Sequence, residues 1–306
     1  MRRFRGLAKG QQLPHNVRMH ATLISATEVK QLLNADTPVL VYDCSADLMN
    51  PAAGRAQFEA EHIPGARFVG LDEHLSDKTS PDRASGGRHP LPSRERFAAW
   101  LGSTGLASPT TQVVVYDRQS ANYCGRLWWM LKWCGHEAVA VLDGGWAAWV
   151  AAGGSSESGP GPGPTNESSA YPLSPARAAT ANTPTIAQRL GSPGLTLIDA
   201  RAAARFRGEM EPLDPVAGHI PGALNRPFTD NIGPDGRFKP ATELRAEFEQ
   251  LLAGRDPASV VHHCGSGVSA IPNLLAMEVA GLGRTALYPG SWSEWCNTPG
   301  APCART

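Results

Sequence analysis

The residues of this chain best suited to covalent chemistry stand together at Cys264-Gly265-Ser266-Gly267-Val268-Ser269, directly after the apolar run Ser259-Val260-Val261. Cysteine is a strong nucleophile once its thiolate is stabilised. The two glycines permit positive φ, so the loop backbone can curl and aim its N–H groups inward as a nest for an anion. A helical stretch opens at Ala270-Ile271-Pro272-Asn273 and adds the partial positive charge of a helix N-terminus. A packed core thiol is the competing reading, but it leaves the run of small residues unexplained. Phosphoryl chemistry on cysteine further needs a guanidinium six residues on, to clamp the phosphoryl oxygens in pairs. That position is Ala270, which argues against a phosphatase or an arsenate reductase.

The elements that must hold this loop emerge from an internal repeat. "HIPGA" occurs at 62–66 and again at 219–223. Upstream of each lies a strand pattern ending in Asp, "TPVLVYD" to Asp43 and "GLTLID" to Asp199; downstream come "QVVVYD" to Asp117 and "SVVHHC" to Cys264. "LDGGWAAW" (142–149) then matches "YPGSWSEW" (288–295). Landmarks in one order at similar spacing mean a duplicated domain. Short β runs alternate with helical windows at 25–34 and 241–254, which implies α/β domains, each a small, mostly parallel sheet flanked by helices. Ligand sites in such sheets lie at the carboxyl ends of strands, where Asp117 and Cys264 both fall. The Gly/Pro/Ser-rich stretch between the copies reads as a linker. The expected division is a basic, disordered tail at 1–20, a non-catalytic domain at 21–150, a linker at 151–182 and a catalytic domain at 183–306.

Bulk properties exclude several function classes. The chain has 306 residues with 28 basic and 28 acidic side chains, so no global field favours nucleic acid or anionic lipid. No apolar run approaches the ~18 residues of a membrane span. Arg2, Arg3, Arg5, Lys9 and Arg18 crowd the N-terminus with no apolar segment behind them, so no secretory signal is read there. Six scattered cysteines form no CxxC pair and no zinc pattern. They read as thiols of a cytoplasmic protein, with Cys296 and Cys303 the one pair that oxidation could join.

The tandem domains, the doubled "HIPGA", "CGSGVSA" and "GSWSEW" together resemble the two-domain rhodanese-like sulfurtransferases over residues 21–300. The resemblance implies that the second domain carries the catalytic cysteine, Cys264, with Asp117 in the matching place of the first. It implies that sulfur is taken onto cysteine as a persulfide and passed to a thiophilic acceptor. Loops with basic side chains accompany thiosulfate in this family, and Cys-Gly-Ser-Gly-Val-Thr accompanies 3-mercaptopyruvate. This chain matches the latter except that Ser269 replaces Thr. Thiosulfate:cyanide transfer is the alternative activity, and a non-enzymatic persulfide carrier or regulatory module the alternative of another class.

The same resemblance assigns Arg205 to the donor carboxylate, where a surface ion pair with Glu209 or Glu211 is the plainer reading. It assigns Ser266 to a proton relay with His62, although "HIPGA" recurs at His219 far from any nucleophile of its own. Gly265, Gly267, Val268 and Ser269 are expected to line the donor site through their N–H groups. A second family arginine follows "EP", and here that position is Leu213; Arg118, Arg126 and Arg226 are the candidates to replace it. His262 and His263, on opposite faces of a strand, read as packing residues. Trp128, Trp129 and Trp133 read as core or interface. No metal or organic cofactor is implied. The expected partners are a small sulfur donor and a thiol acceptor such as a thioredoxin-like protein, with no nucleic acid and no membrane.

Overall fold

A computed structural model of the chain describes residues 19–35, 38–165 and 169–306. Most of the basic tail expected at 1–20 therefore lies outside the described residues.

The first sheet comprises β1 (Leu23–Ile24), β2 (Val39–Asp43), β3 (Arg67–Phe68), β4 (Gln112–Tyr116) and β5 (Val139–Leu142) in the order β1-β5-β4-β2-β3. The second comprises β6 (Ala179–Thr180), β7 (Thr196–Asp199), β8 (Leu224–Asn225), β9 (Val260–His263) and β10 (Ala286–Leu287) in the order β6-β10-β9-β7-β8. The two orders are one order shifted by five strands, so the sequence repeat is a repeat of topology. Every pair within both sheets is parallel. Parallel sheets are covered on both faces, which is why β2 and β4 are near-continuous apolar runs rather than alternating ones. β4 is buried along its whole length.

Helices α1 (Ala26–Leu33), α2 (Ala53–Ala60), α3 (Arg94–Ser103), α4 (Cys124–Trp133) and α5 (Gly145–Ala151) flank the first sheet. Helices α6 (Thr183–Arg189), α7 (Ala203–Arg207), α8 (Ala241–Leu252), α9 (Ile271–Val279) and α10 (Ser291–Trp295) flank the second. α1 starts at a capping box in which Ser25 and Glu28 satisfy each other's backbone N–H groups, and it buries Ala26, Val29 and Leu32 on one face. Such a cap contributes about 1 kcal/mol.

α4 and α9 decide how the halves meet. Each leaves the loop at the end of its central strand, and α4 is buried at every position. A helix apolar all round needs cover all round. The partner is the other domain: a Cβ on Gly125 of α4 would stand 3.3 Å from Cγ2 of Ile271 on α9. One apolar core runs from Trp128 and Leu131 through Ile271, Leu275 and Leu287. Lys132 of α4, buried over the Trp128 ring, reaches Glu278 of α9 at 2.8 Å. The helices that leave the two strand ends consequently pack on each other across the domain boundary.

The segment between the sheets runs along the first domain. Glu157 forms an antiparallel bridge with His62, Thr165 donates to the Ser103 carbonyl, and the Tyr171 ring is buried with its hydroxyl 3.0 Å from Nδ1 of His136.

Candidate functional site

Cys264 sits at the carboxyl end of β9 and is only 2% exposed. Its N–H donates to Oγ of Ser291, and its carbonyl accepts from the N–H of Trp292. The Gly265 carbonyl accepts from Ser293, and the Gly267 carbonyl from the Arg126 guanidinium. The carbonyls of Cys264, Gly265 and Gly267 are thus bonded to groups outside the loop. Among the described residues, the N–H groups of Gly265, Ser266, Gly267, Val268 and Ser269 find neither a backbone nor a side-chain acceptor. Gly267, at φ +73°, makes the curl that permits this.

The first domain shows what such a loop is built to hold. Asp117 ends β4 where Cys264 ends β9, and its carboxylate accepts from the N–H groups of Gln119, Ala121, Tyr123 and Cys124 at 2.9–3.0 Å. Burial pushes the Asp117 carboxyl pKa up, and these donors pull it the other way. One nest holds its own carboxylate; the other, following Cys264 at the matching strand end, leaves its N–H groups unspent. Cys124 and Cys44, near the filled nest, are pushed well up by burial and by the neighbouring aspartates, so they are packing thiols.

Ser266 is joined by His89, not by His62. Oγ of Ser266 lies 2.8 Å from Nδ1 of His89, and Nε2 of His89 lies 3.6 Å from Oδ1 of Asp72, an ion-pair rather than a hydrogen-bond distance. The Asp72 carboxylate favours a proton on Nε2, which leaves Nδ1 to accept from the serine hydroxyl. Burial first, then the Arg126 charge, lower the His89 pKa to about 4, so the ring is neutral near pH 7. His62 is elsewhere: its Nδ1 is 2.7 Å from the Phe58 carbonyl, its ring stacks on Phe58, and its Nε2 meets Glu157. His219 repeats this arrangement with the Phe206 carbonyl and ring. The histidine of "HIPGA" pins a loop in both domains, which corrects the expectation for His62.

One sequence signal pointed to His89. The first copy is ten residues longer between His62 and Asp117 than the second is between His219 and Cys264, and Arg88 and His89 lie in that longer stretch. The stretch is clamped across the cleft: the Arg88 N–H donates to Oγ of Ser293 at 2.9 Å, and a Cβ on Gly87 would meet the Gly290 carbonyl oxygen at 2.5 Å.

Three guanidinium groups converge on the loop. Arg126 is fully buried in α4 and donates to the carbonyls of Gly267 and His89 at 2.9 Å and of Leu75 at 3.2 Å. Burial lowers its pKa to about 10, which still leaves it cationic, and Cys264 pulls the other way. Arg205, in α7, is bound through Nη2 to Glu211 at 2.6 Å and lies 3.5 Å from Asp214. Its Nη1 faces the loop, 3.5 Å from where a Cβ on Gly265 would stand. Nη2 of Arg88 lies 3.1 Å from that same point. Arg118 is instead spent on Asp43 and Ser45, and Arg226 on Glu247 and Asn231. Neither replaces an arginine at 213. Leu213 itself is 42% exposed and, with Phe68, Leu71, Asp72, Arg88 and His89, lines a cavity of about 670 Å³. Val268 and Ser269 belong to the loop, Val268 with its side chain in the core and Ser269 half-buried.

His262 and His263 are buried in β9; burial pushes both pKa values down, His262 to about 3. His262 faces the Met277 sulfur, and Nδ1 of His263 lies 3.9 Å from Oδ2 of Asp199, so both point into the interior of their own domain. All six cysteines are free thiols, Cys296 and Cys303 included. The described residues contain no cluster of His, Cys, Asp and Glu able to hold a metal ion, and no helix long and apolar enough to cross a membrane.

Comparison with known proteins places these features in context. The sequence profile of the family described as "Rhodanese-like domain" matches residues 25–152 and again 183–298. A Pseudomonas aeruginosa protein named "Probable 3-mercaptopyruvate sulfurtransferase" is 44% identical over 290 residues, covering 93% of this chain and 98% of that protein. The human 3-mercaptopyruvate sulfurtransferase is 38% identical over 286 residues, covering 89% of this chain and 91% of the human one. Among solved structures, the 3-mercaptopyruvate sulfurtransferase from Leishmania major superposes with a TM-score of 0.78 at 31% identity, over 92% of this chain and 76% of its own.

Proposed function

The chain belongs to the rhodanese-like family of two-domain sulfurtransferases, and on that premise we propose that it moves sulfur from 3-mercaptopyruvate, through a persulfide on Cys264, to a thiol. The observation that carries this reading is the Cys264 nest: its N–H groups lack acceptors, while the sister loop spends the equivalent groups on the Asp117 carboxylate. A site that binds a carboxylate with four N–H groups in one copy suits a sulfur anion in the other.

The chemistry runs in two transfers. The Cys264 thiolate attacks the donor sulfur, an S–S bond forms, and the donor C–S bond breaks with its electron pair passing to carbon as the pyruvate enolate. The donor's S–H proton moves to that carbon, giving pyruvate and leaving a Cys264 persulfide anion. Ser266 and neutral His89 carry the proton, oriented by Asp72. The loop N–H groups of Gly265, Ser266, Gly267, Val268 and Ser269 hold the charge that collects on sulfur. Arg205 grips the donor carboxylate. In the second transfer an acceptor thiolate attacks the outer sulfur, the persulfide S–S bond breaks, and Cys264 is regenerated as thiolate.

The acceptor is a small thiol or a thioredoxin-like protein, reaching the sulfur through the interdomain cleft. The cytoplasm, where thiols stay reduced, suits a chain whose six cysteines are all free. A second reading has thiosulfate as the donor, favoured by the two guanidinium groups beside Gly265, which also suit a small dianion.

The deciding experiment compares kcat/KM for the two donors and weighs the isolated protein afterwards. The reading expects 3-mercaptopyruvate to be preferred and Cys264 to be heavier by one sulfur atom. A preference for thiosulfate overturns the donor. Absence of the adduct with either donor overturns the mechanism.

A further inference from the structure

Asp117 ends its strand where Cys264 ends the matching one, and the loops that follow have one length: α4 starts at Cys124 and α9 at Ile271. Each loop enters the left-handed region at the same step, Gly267 at φ +73° and Ser120 at φ +58°, and Ala121 follows Ser120 there at φ +64°. Glycine makes that turn freely, whereas serine and alanine make it at a conformational cost. Strain of this kind persists only where the surroundings over-determine it. In the first domain a single buried carboxylate does so.

Asp117 is 1% exposed, and both of its oxygens are spent: Oδ1 accepts from the N–H groups of Gln119 and Ala121, Oδ2 from those of Tyr123 and Cys124. Four bonds to one anion are charge-assisted, and they offset the strain at Ser120 and Ala121. Tyr123 is the N-cap of α4 and its own side chain makes no capping bond, so the carboxylate also caps that helix. The Asp117 carbonyl accepts from the Trp146 N–H, which ties the same residue to α5. Arg126 stands in the first turn of α4, and its guanidinium holds the carbonyls of Gly267 and His89 at 2.9 Å. Asp117 is thus linked to the nucleophile loop through one helical turn and one side chain.

We propose that Asp117 is a built-in ligand: it fills an anion nest of the same construction as the one beside Cys264, and by filling it holds α4 where Arg126 braces the nucleophile loop. Asp117 is then a positioning residue, acting on the reaction from the domain that lacks the nucleophile. The bracing rests on the reading of Cys264 given above; the ligand role stands apart from it. Once emptied of its own carboxylate, the nest should accept a small free one.

The test empties the nest with Asp117→Gly, which leaves room for free formate, and compares sodium formate with sodium chloride at equal ionic strength. Urea midpoints read the ligand role. Formate should raise the midpoint of Asp117→Gly progressively with concentration, and well beyond its effect on wild type. An effect no larger than that of chloride, or no larger than on wild type, overturns the ligand role. Steady-state kinetics with 3-mercaptopyruvate, at a temperature where each protein is folded, read the bracing. In Asp117→Gly kcat should fall about 10- to 100-fold, as for a misplaced catalytic group, with KM changed less than about 3-fold and kcat partly restored by formate. A carboxylate with a structural role alone lowers the midpoint and spares kcat, and that result overturns the bracing. If Asp117→Gly does not fold, recovery of folded protein in formate but not in chloride supports the ligand role, and its absence overturns it. Asp117→Asn, of the same shape without the charge, then reads the bracing, which an unchanged kcat overturns. A wild type that takes sulfur from neither 3-mercaptopyruvate nor thiosulfate overturns the function and the bracing with it, while the urea comparison still decides the ligand role.

Discussion

The two glycines of the nucleophile loop should fail in opposite ways when each gains a methyl group. Gly267 lies at φ +73°, and a Cβ there would press on the Pro289 carbonyl oxygen, with the Pro289 Cα at 2.8 Å and carbonyl carbon at 2.9 Å. These are backbone atoms and cannot swing away. A left-handed alanine costs roughly 1–2 kcal/mol, and forcing backbone apart adds about 1–3 kcal/mol more. Gly267→Ala should therefore lose about 2–5 kcal/mol of stability, a fall in Tm on the order of 5–15 °C. Gly265 lies outside the left-handed region, and the three atoms nearest its added Cβ are guanidinium nitrogens of Arg88 and Arg205, the mobile ends of long side chains. Gly265→Ala should keep Tm within about 2 °C. Its methyl group fills the space between the guanidinium groups, so kcat/KM should fall about 10- to 100-fold, largely through KM, as expected when one charge-assisted pair is lost. Thermal melts and steady-state kinetics on the three proteins settle the matter. If Gly265→Ala melts as early as Gly267→Ala, or keeps full kcat/KM, the account of this loop is refuted.

Four further outcomes are expected. His89→Asn should lower kcat about 10²- to 10³-fold with the 3-mercaptopyruvate donor, whereas His62→Asn should act on Tm and leave the pH profile of kcat unchanged; equal kinetic loss in both would restore His62 to the relay. Stability should be complete above about pH 6.5, where an unfolded histidine is neutral, and fall as pH drops toward 4. The sign follows from burial, which lowers His89 to about 4 and His262 to about 3 and also lowers His263, so the unfolded chain takes up the protons first. Urea midpoints between pH 7.5 and 4.5 read this slope, and His89→Asn should reduce it by about one proton. Arg126→Met strands the carbonyls of Gly267, His89 and Leu75 without their donor, so a loss of at least about 3 kcal/mol in urea unfolding is expected.

The sequence alone determined the architecture and pointed to the proposed nucleophile, Cys264. Both are encoded locally: apolar runs of strand length, a repeat whose landmarks keep their order, and a Cys-Gly-Ser-Gly loop at a strand end. The nest is local as well, because backbone curvature follows from the glycines beside it. The same reasoning paired Ser266 with His62, since a motif shared by both domains drew attention there, whereas the structure pairs it with His89. His89, without a repeat partner, is 177 residues from the serine it meets. The second arginine was sought at Arg118, Arg126 and Arg226, because the longer spacing in the first copy marks a stretch of chain without revealing which of its side chains reach the loop. That Arg88 and His89 stand beside the loop follows from the packing of α4 on α9, which brings a first-domain loop onto the strand end of the second. Sequence periodicity reports the faces of single elements; a site shared by two domains depends on the angle and register at which their apolar faces meet, and only the tertiary structure sets those.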